Sequence, residues 1–252
     1  LYFNGTGNEF LGEIRYTEGL AMNQLYTKHF KRNAKGEVVV GANGRLIEDK
    51  KSGPIGTGFY PVGSAIPKFT GGWSNTFTRK NITLGIFIDY KFGGTVLSST
   101  LLNMTRQGLS KLSLQDRETG IIVPGVYDDG LPNAGQPNTT VITAAGNGLQ
   151  SYWSDYRNYQ IGDPFTFKSD FIKLRNISIA YNFTDILKKT SSLKFVKGLS
   201  LSASVRNAAI LYKDIPGLDP EAIQSSGDIR AGYENSALPT TRNYNLTLNV
   251  KF

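Results

Sequence analysis

No cysteine occurs among the 252 residues, and there is one histidine, His29. The first absence excludes a disulfide framework and thiolate metal sites. The second leaves any histidine triad or multi-histidine metal centre with a single possible member. No run of about 18 apolar residues offers a membrane helix. No glycine-rich phosphate loop, paired-carboxylate arrangement or nucleophile elbow stands out, so neither enzyme chemistry nor a cofactor is expected. With 39% hydrophobic residues, the chain is too apolar for a disordered one. Its Gly, Asn, Thr and Tyr content favours strands and turns over helices.

The formal charge is +8. Its basic residues are spread thinly, with short groups at Lys28 to Lys35, Lys50-Lys51 and Lys188-Lys189. That lacks the clustered face of a nucleic-acid binder and reads as a solvated surface or one suited to anionic lipid. His29 lies in a polar, basic stretch and is expected to be solvated. Asp128-Asp129-Gly130 and Asp155 miss the spacing of a calcium loop and predict a plain turn. The opening Leu1-Tyr2-Phe3 has no Met, basic region or cleavage site, whereas patterned sequence runs to Phe252. The expectation is a C-terminal portion of something longer.

Period-two alternation is the main structural signal. Tyr244, Leu246, Leu248, Val250 and Phe252 alternate with polar residues, as do Leu199 to Val205 and Ile82 to Phe92. Phe69, Trp73 and Phe77 share a face, as do Ile177, Ile179, Tyr181 and Phe183; Phe10 to Tyr16 is a weaker sixth candidate. In Phe171 to Phe183, Lys173 and Arg175 fall on the apolar face. Either a bulge shifts the phase, turning them to a lumen, or that stretch rises above the apolar zone towards lipopolysaccharide phosphates. The opposite faces are Ser, Thr, Asn and Gly with few charges, as on a barrel lumen wall, and the apolar faces end in aromatics.

Connections alternate between short (Arg79-Lys80-Asn81, and Asp185 to Lys189 with room for a helical turn) and long (roughly Thr17 to Lys68, Leu97 to Lys168 and Lys213 to Thr240). Compact soluble domains rarely carry such loops, whereas outer-membrane barrels pair short periplasmic turns with long extracellular loops. The fold class expected is therefore all-β: C-terminal strands of a large antiparallel transmembrane β-barrel. Six strands do not close one, and an open edge in lipid is costly.

The segments resemble a known family. Ile66-Pro67-Lys68-Phe69-Thr70-Gly71-Gly72-Trp73-Ser74-Asn75-Thr76-Phe77 is similar to the "P-x-F-x-G-G-F-x-N" strand of SusC/RagA-type TonB-dependent outer-membrane transporters. Ser169 to Tyr181 resembles their "(S/G)-x-F-L-R-L-K-N-V-T-L-G-Y" segment. Arg206-Asn207 with Gly217-Leu218-Asp219-Pro220-Glu221 resembles "Q-N-L-…-G-x-D-P-E", and Leu238 to Phe252 resembles the family terminus. Leu246-Thr247-Leu248-Asn249 lacks the usual glycine, and Arg206-Asn207-Ala208 stands for "Q-N-L"; neither breaks strand alternation.

The resemblance implies a barrel of about 22 strands, preceded by a plug and a TonB-contacting segment. It implies active import of oligosaccharides or peptides across the outer membrane of a Gram-negative, Bacteroidetes-like cell. The implied partners are a SusD-like lipoprotein lid, the TonB complex, lipopolysaccharide and the barrel-assembly machinery; a dimer of transporter–lid pairs is common in the resembled family. The terminal strand (Tyr244, Leu246, Leu248, Val250, Phe252) would be the assembly signal, read by β-augmentation. Tyr152, Trp153, Tyr156 and Tyr159, in a long loop, are the candidate substrate contacts, against a self-packed loop or a lid surface. A lid-less siderophore receptor and a soluble all-β carbohydrate-binding module are the alternatives.

Overall fold

A computed structural model describes residues 11–51, 53, 57–114, 116–189, 195–222 and 232–252. Phe10 of the expected sixth strand lies outside them. The chain divides into two units. One is built from Pro67–Gly93, Lys168–Ala222 and Leu238–Phe252; the other holds described residues 11–66, 94–167 and 232–237.

The first unit is a five-stranded sheet. Its strands are β1 (Phe69–Arg79), β2 (Ile82–Phe92), β3 (Phe171–Asn182), β4 (Gly198–Lys213) and β5 (Asn243–Lys251). Every neighbour pair is antiparallel, and spatial order follows chain order. A two-residue link, Lys80-Asn81, joins β1 to β2, with Lys80 at φ 53°. The short helix Thr184–Lys188 lies between β3 and β4. These two links share one end of the sheet, the hairpin end; the long connections leave from the other.

Register lines the apolar residues into rows. Phe77, Leu84, Ile179, Ala203 and Leu246 form one; Ile86, Ile177, Val205 and Tyr244 form the next, with polar Asn75 at its end. Behind them, Thr76, Gly85, Ser178, Ser204 and Asn245 form a polar row. The apolar face is open: Trp73, Phe77, Ile179, Leu246, Leu248 and Phe252 are exposed. Aromatics gather towards both ends, with Phe92 in contact with both Tyr90 and Tyr212 at one and Phe195 stacked on Phe252 at the other. At about 3.3 Å per residue, an 11-residue strand tilted by about 40° spans close to the ~25 Å apolar band of an outer membrane.

Gly71 and Gly72 explain the glycine pair of the β1 motif. A Cβ on Gly71 would lie 2.5 Å from the Tyr90 hydroxyl, and one on Gly72 would lie 2.8 Å from the Phe87 ring. Two cross-strand aromatics thus occupy the space of the missing side chains, one on each face.

The second unit contradicts the expectation of plain loops. The long connections fold together around a core that includes Leu11, Val40, Leu46, Leu102, Val123, Ile142, Ile161 and Phe165. A smaller cluster joins Ile14, Leu25, Leu97 and Tyr233. The strand expected near Phe10 to Tyr16 is only Glu13–Arg15. It is fully buried and pairs with Gln24–Lys28, which pairs with Phe59–Ser64, outside the five-stranded sheet. Helix α1 (Ser99–Arg106) is capped by the Ser98 hydroxyl, which also donates 2.5 Å to buried Glu234. No helix among the described residues is long and apolar enough to cross a membrane.

Candidate functional site

Lys173 and Arg175 are resolved by a bulge. Leu174 pairs with Ile88 but Asn176 pairs with Phe87, so Arg175 is an extra residue in β3. Phase changes there: Leu174 joins Ile177 on the apolar face, and Lys173 stands opposite Asp89 on the polar face. β4 is also irregular here, with Asn207 at φ 50°. The lipopolysaccharide orientation is thus overturned for both side chains, because each is committed to carboxylates behind the sheet.

Two of those carboxylates, Asp219 and Glu221, come from the β4–β5 connection, and the third, Asp89, from β2. The Lys173 ammonium, 2% exposed, donates to Asp219 at 2.5 Å and Glu221 at 2.6 Å. Arg175 donates to Asp89 at 2.7 Å and also to Glu221 and the Asn207 side chain. Asp219 further accepts from the Thr240 N–H (2.9 Å) and hydroxyl (2.5 Å), and Asn207 donates 2.7 Å to the Thr241 carbonyl. Phe171 floors the cluster, with Lys91 and Lys173 each 5.3 Å from its ring centre. Burial alone would raise the pKa of Asp219, but hydrogen bonds from Lys173, Thr240 and the local backbone outweigh it and hold the carboxyl below its usual range. Glu221 behaves likewise: burial raises it, and Arg175 and Lys173 bring it below its ordinary value.

Three of the four motif segments therefore meet at one point: the basic pair of β3, the Asn207 and Asp219-Pro220-Glu221 stretch, and the segment entering β5. Sequence reading quoted each separately and missed their pairing. The available signal was two cations in an otherwise alternating strand and two carboxylates 46 and 48 residues later.

The tyrosine-rich stretch is helix α2 (Gly148–Asn158), not an open loop. Tyr152, Trp153 and Tyr156 are buried in the core of the second unit, a correction to the substrate-contact expectation. Their spacing places all three on one helix face, where Tyr156 packs edge-on against Phe30 and Phe165. Tyr159 remains partly exposed. Asp155, on the same helix, is gripped by the Arg45 guanidinium, which also donates 3.0 Å to the Ser151 carbonyl. Burial raises the Asp155 pKa more than Arg45 lowers it. Asp128 is held by Lys31 at 2.6 Å in a turn, and no group of metal-ligating side chains occurs among the described residues. His29 is partly exposed and contacts Asp163 at 2.6 Å.

No family model matches the chain. It is 23% identical over 196 residues to TonB-dependent receptor P3 of Formosa agariphila, and 26% identical over 199 residues to TonB-dependent receptor P39 of the same organism. In each case 76% of this chain aligns with 17% of the relative. Among solved structures, the RagAB peptide importer in its open-open state matches with TM-score 0.55 at 15% identity, covering 91% of this chain and 22% of that one. The closed-closed state gives 0.54, over 90% and 22%.

The chain is thus similar in sequence to TonB-dependent receptors and shares the fold of part of the RagAB importer. In a SusC/RagA-type chain, the five-stranded sheet is barrel wall, with its apolar face towards lipid and its polar face towards the lumen. The ion cluster is then a lumenal feature, near the end from which the long connections leave. The chain spans about a fifth of the length of these relatives.

Proposed function

We propose that the chain forms the C-terminal portion of a TonB-dependent importer in the outer membrane of a Bacteroidetes-like cell. In this reading the hairpin end and Phe252 face the periplasm and the long connections face outward. A plug and TonB segment supplied elsewhere in the protein do the energy coupling. A SusD-like lipoprotein closes the outer mouth over oligosaccharide or peptide cargo, and transporter–lid pairs dimerise. The observation that carries the reading is the sheet itself: one face uncharged and mostly apolar with aromatics towards both ends, the other polar with Lys173 and Arg175 paired to carboxylates.

Tyr244, Leu246, Leu248, Val250 and Phe252 project from an edge strand, which suits recognition by barrel-assembly machinery through strand addition. Of the four aromatics expected to touch cargo, Tyr159 lines a cavity with Arg45 and Glu48, and cargo contact is assigned there.

The test is to tag the natural polypeptide and purify it from detergent-extracted outer membranes. A mass several times 27.6 kDa with a stoichiometric lipoprotein is expected. A mature product of 27.6 kDa would overturn the reading in favour of a soluble binding module. A full-size receptor without lipoprotein would point to a lid-less siderophore receptor. Uptake of labelled oligosaccharides against labelled peptides then decides the cargo.

A further inference from the structure

Within the second unit, a cavity of about 230 Å³ lies between the end of α1, the turns after it and α2, with Arg106, Gln107, Ser113, Arg117, Gln150 and Trp153 among its walls. Its two guanidinium groups are held differently. Arg117 is fixed: its Nη2 donates to the Gly108 carbonyl at 2.6 Å and the Ser113 hydroxyl at 3.2 Å, and its Nε donates to the Ser113 carbonyl at 3.3 Å. Gly108, at φ 75°, makes room for it, since a Cβ there would crowd Nη2 at 3.3 Å. Those bonds leave the Nη1 donors of Arg117 unused among the described residues. Arg106 is the opposite case. It stands in the last turn of α1, where a cation suits the helix dipole, yet its Nε is buried without a partner. Among the described residues neither arginine forms an ion pair, although exposed Asp116 and Glu118 flank Arg117 in sequence.

We propose that this cavity is a cargo subsite for an acidic sugar, held by its carboxylate or sulfate. A buried donor without an acceptor is costly and rare. An anion seated against Arg106 and Arg117 supplies that acceptor and offsets two like charges on one cavity. Guanidinium forks match the paired oxygens of both groups, so the shared chemistry is an oxyanion. The other walls favour a sugar as its bearer. Gln107 and Gln150 bring amides able to meet hydroxyls, and Trp153 brings the edge of a ring. Helices and turns form these walls, and they present no strand edge along which an extended peptide could pair. The occupant is cargo only if the chain imports, as proposed above, whereas anion binding stands on Arg106 and Arg117 alone.

The experiment titrates the full-length protein in mild detergent by calorimetry. The probes are an oligogalacturonate and its methyl ester, a sulfated galactan oligomer and its desulfated form, and an oligoglutamate peptide. Arg106→Gln is the main variant, because Arg106 has no hydrogen bond to lose and its removal leaves the fold intact; Arg79→Gln at the hairpin end is the control. At least one acidic oligosaccharide should bind more tightly than its neutral counterpart, and the tighter of the two names the oxyanion. Loss of a charge-assisted contact in Arg106→Gln should weaken that binding at least about tenfold. Arg106→Lys, which keeps the charge without the fork, should recover part of it, and Arg79→Gln should match the wild type. Equal binding of acidic and neutral forms, or unchanged affinity in Arg106→Gln, would overturn the proposal. Tighter binding of oligoglutamate, lost in Arg106→Gln, would overturn it in favour of an acidic peptide. Uptake in cells separates the two readings. TonB-dependent uptake of a neutral oligosaccharide with no effect of Arg106 on acidic ones keeps import and removes the subsite. Arg106-dependent binding without TonB-dependent uptake keeps the anion site and removes import, and with it the role in cargo.

Discussion

Replacing Lys173 by Met removes the ammonium shared by Asp219 and Glu221 while keeping the volume of its stem. The Lys173 and Asp219 side chains are 2% and 5% exposed, so solvent does little to compensate the carboxylate left behind. Breaking a buried pair by deleting one partner costs roughly 3–5 kcal/mol. Glu221 keeps Arg175, which moderates the loss, so about 3 kcal/mol is expected. The penalty should appear locally, as release of the Gly217–Glu221 stretch from the polar face, because the ladders on either side of β3 do not depend on Lys173. Hydrogen exchange on the full-length protein should report it. The Thr240 amide, bonded to Asp219, should exchange on the order of 100-fold faster, while β2 amides stay protected. Adding Asp219→Asn and Glu221→Gln to Lys173→Met should restore much of the protection, since neutral partners carry no stranded charge. Unchanged exchange in Lys173→Met alone would refute the view that this ion cluster holds the connection down.

Three further outcomes follow from the same geometry. Asp219 and Glu221 both titrate below their ordinary values, so their contribution is complete above the usual carboxylate range near pH 4 and is lost as pH falls through the depressed values; the protection factor at Thr240, corrected for the pH dependence of intrinsic exchange, should fall under acid and hold steady above about pH 5. Leu246→Arg on the lipid face should destabilise the barrel by about 2–4 kcal/mol, whereas Thr247→Lys on the polar face should cost far less; folded and unfolded forms on a heat-modified gel would measure both, and equal effects would contradict the facing. Tyr156→Ala should cost about 3–5 kcal/mol in the second unit, whereas Tyr159→Ala should leave stability intact and lower cargo uptake.

The sheet was legible because a half-buried antiparallel strand writes its two environments into alternate residues. β2 begins at Ile82 and ends at Phe92, the same limits that the alternation gives. Legibility failed where the pleat is interrupted. The Arg175 bulge makes Lys173 look lipid-facing, and the irregularity at Asn207 hides the last seven residues of β4. The second unit escaped notice for another reason. Its core joins Leu11, Val40, Leu102 and Phe165 across long separations, with strands of two to six residues too short to show a period. Tyr152, Trp153 and Tyr156 read as a sticky loop, although their i, i+1, i+4 spacing suits one face of a helix. The ion cluster could not be seen before β3 and the β4–β5 connection were folded against each other.

The composition of that cluster bears on passage itself. Lys173 and Arg175 face Asp89, Asp219 and Glu221, so most of the charge in the cluster is matched within it. Such a patch presents local dipoles but almost no monopole, and its potential fades within a few ångströms of the surface. If this face lines a lumen, as proposed, the pull of the paired cluster on a passing solute is short-ranged whatever the solute's sign.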